Sequence, residues 1–363
     1  MTRVLKGHLI ALFAFDIGYE VSLERLSSLV AAAPIQPLSR RRQTPTYLQY
    51  TRAPVILDLD THEELGGVQA SLQVTIFDFG ALSVAYRWPL SVDDAGLPLS
   101  NLPAISAEIY HRNLETQARD EVIRLSERIA SAIDRPKLSG LVEDYYLFII
   151  EQLDPHLRAE ELLVQHRGDL AQSLSFETLP LSKWQQEEVL SQTISYLDSD
   201  LTIVDWNAAI IYDRDFDDTA KVLELLNVEL LEARYIDDTL DKRVTAYAGF
   251  VHKPASWPIP LRTPYRKVLQ ELTEWRIEST VLSERVGNSL KLIGDLYLSR
   301  IHSAASAKTH LPEWERIISH KLQILDELYD RVNDRIRAAQ SQALELIIVA
   351  LIVFEVLLAL FRH

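Results

Sequence analysis

Residues 346–361 read LIIVALIVFEVLLALF, apolar at every position but Glu355, and Arg362 and His363 follow. The run is slightly short of the roughly 20 residues that cross a bilayer. Ala343 and Leu344 extend it, and Arg362 can snorkel at its far end. A helix from a soluble core would keep a polar face; this one has none beyond Glu355. The expectation is a transmembrane anchor over 344–363, carried by Leu346, Ile347, Ile348, Leu351, Ile352, Glu355 and Leu358. Glu355 is its anomaly. A carboxylate near mid-membrane costs roughly 2.5–3.5 kcal/mol on insertion scales, and a hydrogen bond to a second subunit would offset part of that. Arg331, Arg335 and Arg337 precede the run while only Arg362 follows it. The positive-inside rule then predicts a single-pass protein of the inner membrane with its N-terminal domains in the cytoplasm.

Upstream, Ile318, Leu322, Leu325, Tyr329, Val332, Ile336, Ala339, Ala343 and Leu346 follow an unbroken 4-3 spacing. Such a repeat buries a narrow seam against another helix. The spacing predicts one helix from about Glu313 to Phe361, on the order of 70 Å long. Its expected partner is a helix from Tyr265 to about Ala305, with Val268, Leu272, Trp275, Leu282, Val286, Leu290, Ile293, Tyr297 and Ile301 at helical spacing. Residues 309–312 interrupt, and Pro312 suits a first helical turn. The pair is expected to form an antiparallel helical hairpin, a coiled-coil stalk over 251–343. Ile317, Ile324 and Leu328 lie off its seam and face either a second subunit or the head.

Towards the N-terminus the pattern changes to mixed strands and helices. His8–Phe15, Thr46–Gln49 and Val55–Leu59 read as extended, and Val21–Ala31 as helix. Alternation at Leu72, Val74 and Ile76 and at Leu82, Val84 and Tyr86, with Gly80 between, reads as a hairpin. A helix is expected over Leu114–Ile133, with Leu114, Ala118, Val122, Leu125 and Ile129 on one face and Pro136 beyond its end. A second strand-and-helix set follows: Tyr145–Ile150, helices near Ala159–Gln165 and Trp184–Gln192, extended Ile194–Leu197, Leu201–Val204 and Ala208–Tyr212, then a long helix from about Asp217 to Ala248. The fold class expected is α+β: two small strand-helix sandwich units, 1–137 and 138–250, each a sheet with helices on one face. Whether the two share one sheet is open at this stage.

Composition narrows the chemistry. A formal charge of -15 argues against a broad nucleic-acid interface, and Arg40, Arg41 and Arg42 form only a short basic run of the kind that is commonly a solvated loop. With no cysteine in the chain, disulfides, thiolate metal sites and cysteine nucleophiles drop out. The apolar stretch Leu9–Phe15 ends at Asp16 before a signal-peptide core is complete. Asp78-Phe79-Gly80 spells a kinase metal-binding triplet, but the other kinase elements are missing. Instead Phe77-Asp78-Phe79-Gly80 parallels Phe15-Asp16-Ile17-Gly18, two strand ends turning on a glycine. Asp237, Asp238 and Asp241 share a helix face and could hold Mg²⁺ for a diphosphate. No second cluster answers them, and Arg234, Lys242 and Arg243 stand beside them. Asp58, Asp60 and His62 alternate near a strand end, which is more often an edge blunted by charge than a metal site. No Gly-rich phosphate loop, paired-His motif or nucleophile elbow is present. No catalytic constellation, cofactor or metal site is therefore expected.

Several motifs in matching order carry a family resemblance. Leu344-Glu345-x-Ile347-Ile348-x-x-Leu351-Ile352-x-x-Glu355 resembles the C-terminal signature of the family named for being required for meiotic nuclear division. Phe77-Asp78-Phe79-Gly80, Leu170-Ala171-Gln172-Ser173 with Phe176-Glu177, and Pro254-x-x-Trp257 with Pro264-Tyr265 are similar to its strand, central-helix and pre-stalk segments. The resemblance implies a membrane-anchored, oligomeric protein of a family whose mitochondrial member is implicated in supporting organellar translation at the inner membrane; it implies no catalytic residue. The function expected is a self-associating scaffold on a lipid bilayer that recruits an unidentified protein complex. A small-ligand sensor signalling through the stalk, and a Mg-dependent membrane-tethered enzyme using Asp237, Asp238 and Asp241, are the alternatives.

Overall fold

A computed structural model describes residues 1–29, 33–34, 54–91, 95–251, 270–271, 273–274, 276–277, 280 and 296–361. The basic run at 40–42, the extended stretch at 46–49 and most of the helix expected over 265–295 lie outside them. Among the described residues ten strands join one sheet: β1 (Arg3–Asp16), β2 (Ala33–Pro34), β3 (Val55–Leu59), β4 (Ser71–Ile76), β5 (Ala81–Pro89), β6 (Leu97–Pro98), β7 (Glu143–Asp154), β8 (Thr193–Ile194), β9 (Leu201–Val204) and β10 (Ala208–Tyr212). Their order is β8-β9-β10-β7-β1-β5-β4-β3-β2, with β6 pairing the start of β1. All pairings are antiparallel except β7 with β10, where Phe148 lies beside Ile210.

The two halves of the head thus meet at β1 and β7, with Leu9 opposite Phe148 and Phe13 opposite Asp144. The expectation of helices on one face only needs correcting. Leu9, Ala11, Phe13 and Phe15 bury one face against α2 (Leu102–His111), α3 (Glu115–Ile129) and α5 (Arg167–Leu174). Ala14, Phe77, Phe79 and Ala81 bury the other against Leu225, Val228 and Leu231 of α7 (Asp217–Val251). The physical reason is legible in β1 itself, whose odd and even positions are both apolar, as befits a strand covered on both sides. The remaining helices of the head are α1 (Leu23–Leu29), α4 (Ala159–Gln165) and α6 (Lys183–Val189).

The chain then forms α8 (Leu296–Lys308), a turn at His310 with φ +55°, and α9 (Leu311–Phe361). Pro312 stands in the first turn of α9, where its missing N–H costs nothing. Two compact units result. The first holds everything described up to Tyr235 together with α8 and the start of α9; the second holds α7 from Ile236 and α9 from Trp314. In the first, α8 packs through buried Tyr297, Leu298, Ile301 and Ala305. His302 lies within 2.7 Å of Glu229 of α7 with both side chains buried.

Candidate functional site

The anchor run is the end of α9, a helix of 51 residues and so roughly 75 Å long. It is long and apolar enough to cross a membrane. From Leu344 to Leu360 its large apolar side chains are 48–70% exposed all round the helix, including Leu346, Ile347, Ile348, Leu351, Ile352 and Leu358. Glu355 is exposed among them. An apolar surface with no dry side has no counterpart on an ordinary water-facing helix.

Below it, the second unit fixes the base of α9. Ile318, Leu325 and Val332 are buried, and Leu322, Tyr329 and Ile336 are partly so; the Ala339 side chain lies outside the description. Leu328 and Val332 pack with Val244, Ile324 and Ile336. The contact partner described for α9 is therefore the second half of α7, with one ion pair from Arg276 to Asp326 at 3.2 Å. Leu328 and Ile324, expected to face a subunit or the head, pack within this unit, while Ile317 stays exposed.

The aspartates read as a Mg²⁺ candidate sit in the same unit. Lys321 reaches Asp237 at 2.5 Å and Asp241 at 2.7 Å, and Lys242 reaches Asp238 at 2.5 Å. Burial pulls the Lys321 ammonium down, but its bonds to the two aspartates outweigh that and hold it above its ordinary value. All three carboxylates are thus neutralised within the chain. Among the described residues, no group of acids and histidines is arranged to hold a metal. Asp58 instead accepts from Gln73 at 3.0 Å, beside exposed Asp60 and His62. Lys321→Met should lower stability by about 1–3 kcal/mol, because it strands the largely buried Asp237. Asp238→Asn should change it by less than about 0.5 kcal/mol, its partner being an exposed surface lysine. Urea midpoints of the two variants check both values.

The paired Phe-Asp-x-Gly segments are back to back. The Ile17 N–H donates to the Gly80 carbonyl at 2.9 Å and the Val21 N–H to the Asp78 carbonyl at 2.8 Å. Phe77 and Phe79 stack with centroids 5.2 Å apart beneath α7. Asp78-Phe79-Gly80 is thus the β4–β5 turn, as the comparison with residues 15–18 predicts.

Beside that turn lies a feature the sequence reading missed. Asp16 ends β1 almost wholly buried, and its charge bears on Glu232 of α7, which is fully buried. Burial raises the Asp16 carboxyl to about 7, with Lys137 opposing. Burial, and then Asp16, push the Glu232 carboxyl well above the carboxylate range. The signal was there to find: Leu225, Val228 and Glu232 fall at 3-4 spacing, so Glu232 occupies an apolar phase of the helix.

Comparison with known proteins adds a family. The model described as "Uncharacterized protein MJ0711, N-terminal domain" matches residues 6–219, more than half of the chain, from within β1 to the start of α7. A similar relative is the uncharacterized protein MJ0711 of Methanocaldococcus jannaschii, 23% identical over 271 residues that cover 70% of this chain and 81% of that protein. No solved structure matches. Neither finding links the chain to the family required for meiotic nuclear division, whose likeness stays one of motifs. The chain belongs to the family of the MJ0711 N-terminal domain.

Proposed function

We propose that this protein is a membrane-anchored, self-associating scaffold that holds its α+β head at the membrane to recruit a macromolecular partner. The observation that carries the reading is the apolar end of α9, exposed on every side. A lipid bilayer is the solvent such a surface suits. The excess of arginines before the span supports a cytoplasmic head at the inner membrane. The 4-3 seam running down α9 supports a coiled-coil stalk, with the segment before α8 as its other arm.

Self-association rests on Glu355, an acidic side chain in an otherwise apolar span. A neighbouring copy supplies a hydrogen-bonding partner that lipid does not. Native mass spectrometry of the full-length protein, gently released from its own membranes, tests the proposal. A defined multimer carrying other proteins is the expected result; a bare monomer would sink it. Glu355→Leu should weaken the multimer about three- to thirtyfold, the worth of a polar contact between membrane helices. An unchanged multimer on dilution would remove Glu355 from the interface.

A further inference from the structure

A buried carboxyl group with no hydrogen-bond partner is tolerated only while it is neutral. Among the described residues neither oxygen of Glu232 has a hydrogen-bond partner, and the residue is 0% exposed. The group bearing on it is a second carboxyl, Asp16, which is 4% exposed. Around them the sheet–helix interface is apolar, built from Ala14, Phe77, Phe79, Ala81, Val228 and Leu231. Lys137, exposed on the segment before β7, is the cation that bears on Asp16. On the elements packed here, two arginines are engaged with other groups. Arg119 of α3 donates to Glu115 and to the Ser139 and Gly140 carbonyls, and Arg234 of α7 pairs with Glu143 of β7. Asp78, in the β4–β5 turn, has a partner of its own. Glu232 stands one turn before Tyr235, the last residue that α7 gives to the first unit.

We propose that Asp16 and Glu232 form a proton-operated latch between the end of β1 and α7. Holding a proton, the pair lets α7 lie on the sheet; ionised together, the two carboxylates repel and lift the turns around Glu232. The latch is independent of the membrane reading and needs no ligand.

Its pH sense follows from linkage. Both carboxyls bind protons more tightly in the folded chain than in the unfolded one. Stability therefore falls as pH rises from the ordinary carboxyl range to about 7 for Asp16, and further for Glu232. The test is hydrogen exchange on the full-length protein in lipid nanodiscs at about pH 6 and about pH 8.5, corrected for intrinsic exchange. Peptides spanning residues 225–235 of the wild type should lose about tenfold or more in protection at the higher pH, the equivalent of one unit of coupling. Glu232→Gln and Asp16→Asn should flatten that dependence. A flat wild type, or a Glu232→Gln variant that keeps the full slope, overturns the latch. Should neither variant fold, infrared spectroscopy of the wild type decides. A protonated-carboxyl band persisting at neutral pH and vanishing at high pH supports the latch, and its absence at neutral pH refutes it.

Discussion

Replacing Leu351 and Ile352 together by arginine is expected to move the protein from the membrane fraction to the soluble fraction. Both lie in the middle of the apolar end of α9, and both side chains are more than half exposed. Exchanging two such residues for arginine at the centre of a span costs about 7 kcal/mol on insertion scales. Partitioning should shift by about 10⁵-fold, far beyond what tighter packing elsewhere could mask. The head lies outside the altered run, so its thermal melt should be unchanged. Fractionation before and after a high-pH wash, with the melt as control, reads both effects. Retention of the double variant in washed membranes would mean that something other than this span holds the protein there.

The second large effect is a collapse of the head on Gly80→Val. Gly80 has φ +95°, a left-handed conformation that a β-branched residue adopts at a cost of about 1–2 kcal/mol. Space is the larger problem: a Cβ there would stand 1.9 Å from the Gly18 carbonyl oxygen. Relief means parting the two Phe-Asp-x-Gly segments and giving up the bonds from Ile17 and Val21, each worth about 1 kcal/mol net. The expected loss is about 4 kcal/mol or more, a large share of the stability of an ordinary domain. Gly67→Val is the control. Its φ is +80°, but nothing lies within 4 Å of its added Cβ, so only the backbone cost remains. Denaturant melts of the pair separate overlap from conformation; equal losses would show that the contact with Gly18 yields easily.

What the sequence discloses here is what is local. The buried face of α3 (Ala118, Val122, Leu125 and Ile129) and the β4–β5 hairpin were predicted residue by residue, because a period of 3.6 or 2 is written in consecutive positions. The C-terminal run was legible for the same reason. Pairing across long separations was not. Nothing in Tyr145–Ile150 says that it takes β1 as an antiparallel neighbour and β10 as a parallel one. The contact of α9 with α7 shows the same limit: Val244 and Asp237, which meet α9, belong to a helix read as part of the head, while most of the partner expected over 265–295 lies outside the described residues. α2 went unread although Leu102-Pro103 carries a start signal. The acid pair escaped notice because Asp16 looked like a strand end and Glu232 like one charge among many on α7. Only the fold shows both to be buried, and only then does their charge become an anomaly.

The placement of β1 bears on how the molecule is made. β1 is hydrogen-bonded on one side by β5 and on the other by β7, whose last residue is Asp154. During synthesis β5 soon covers one edge. At about 5–20 residues per second, the other edge waits on the order of ten seconds for β7 to emerge. For that interval a long apolar strand presents an open row of peptide groups, the kind of template on which nascent chains aggregate. The architecture therefore favours slow, late closure of the sheet, with the β7-side edge of β1 as the stretch exposed longest during synthesis.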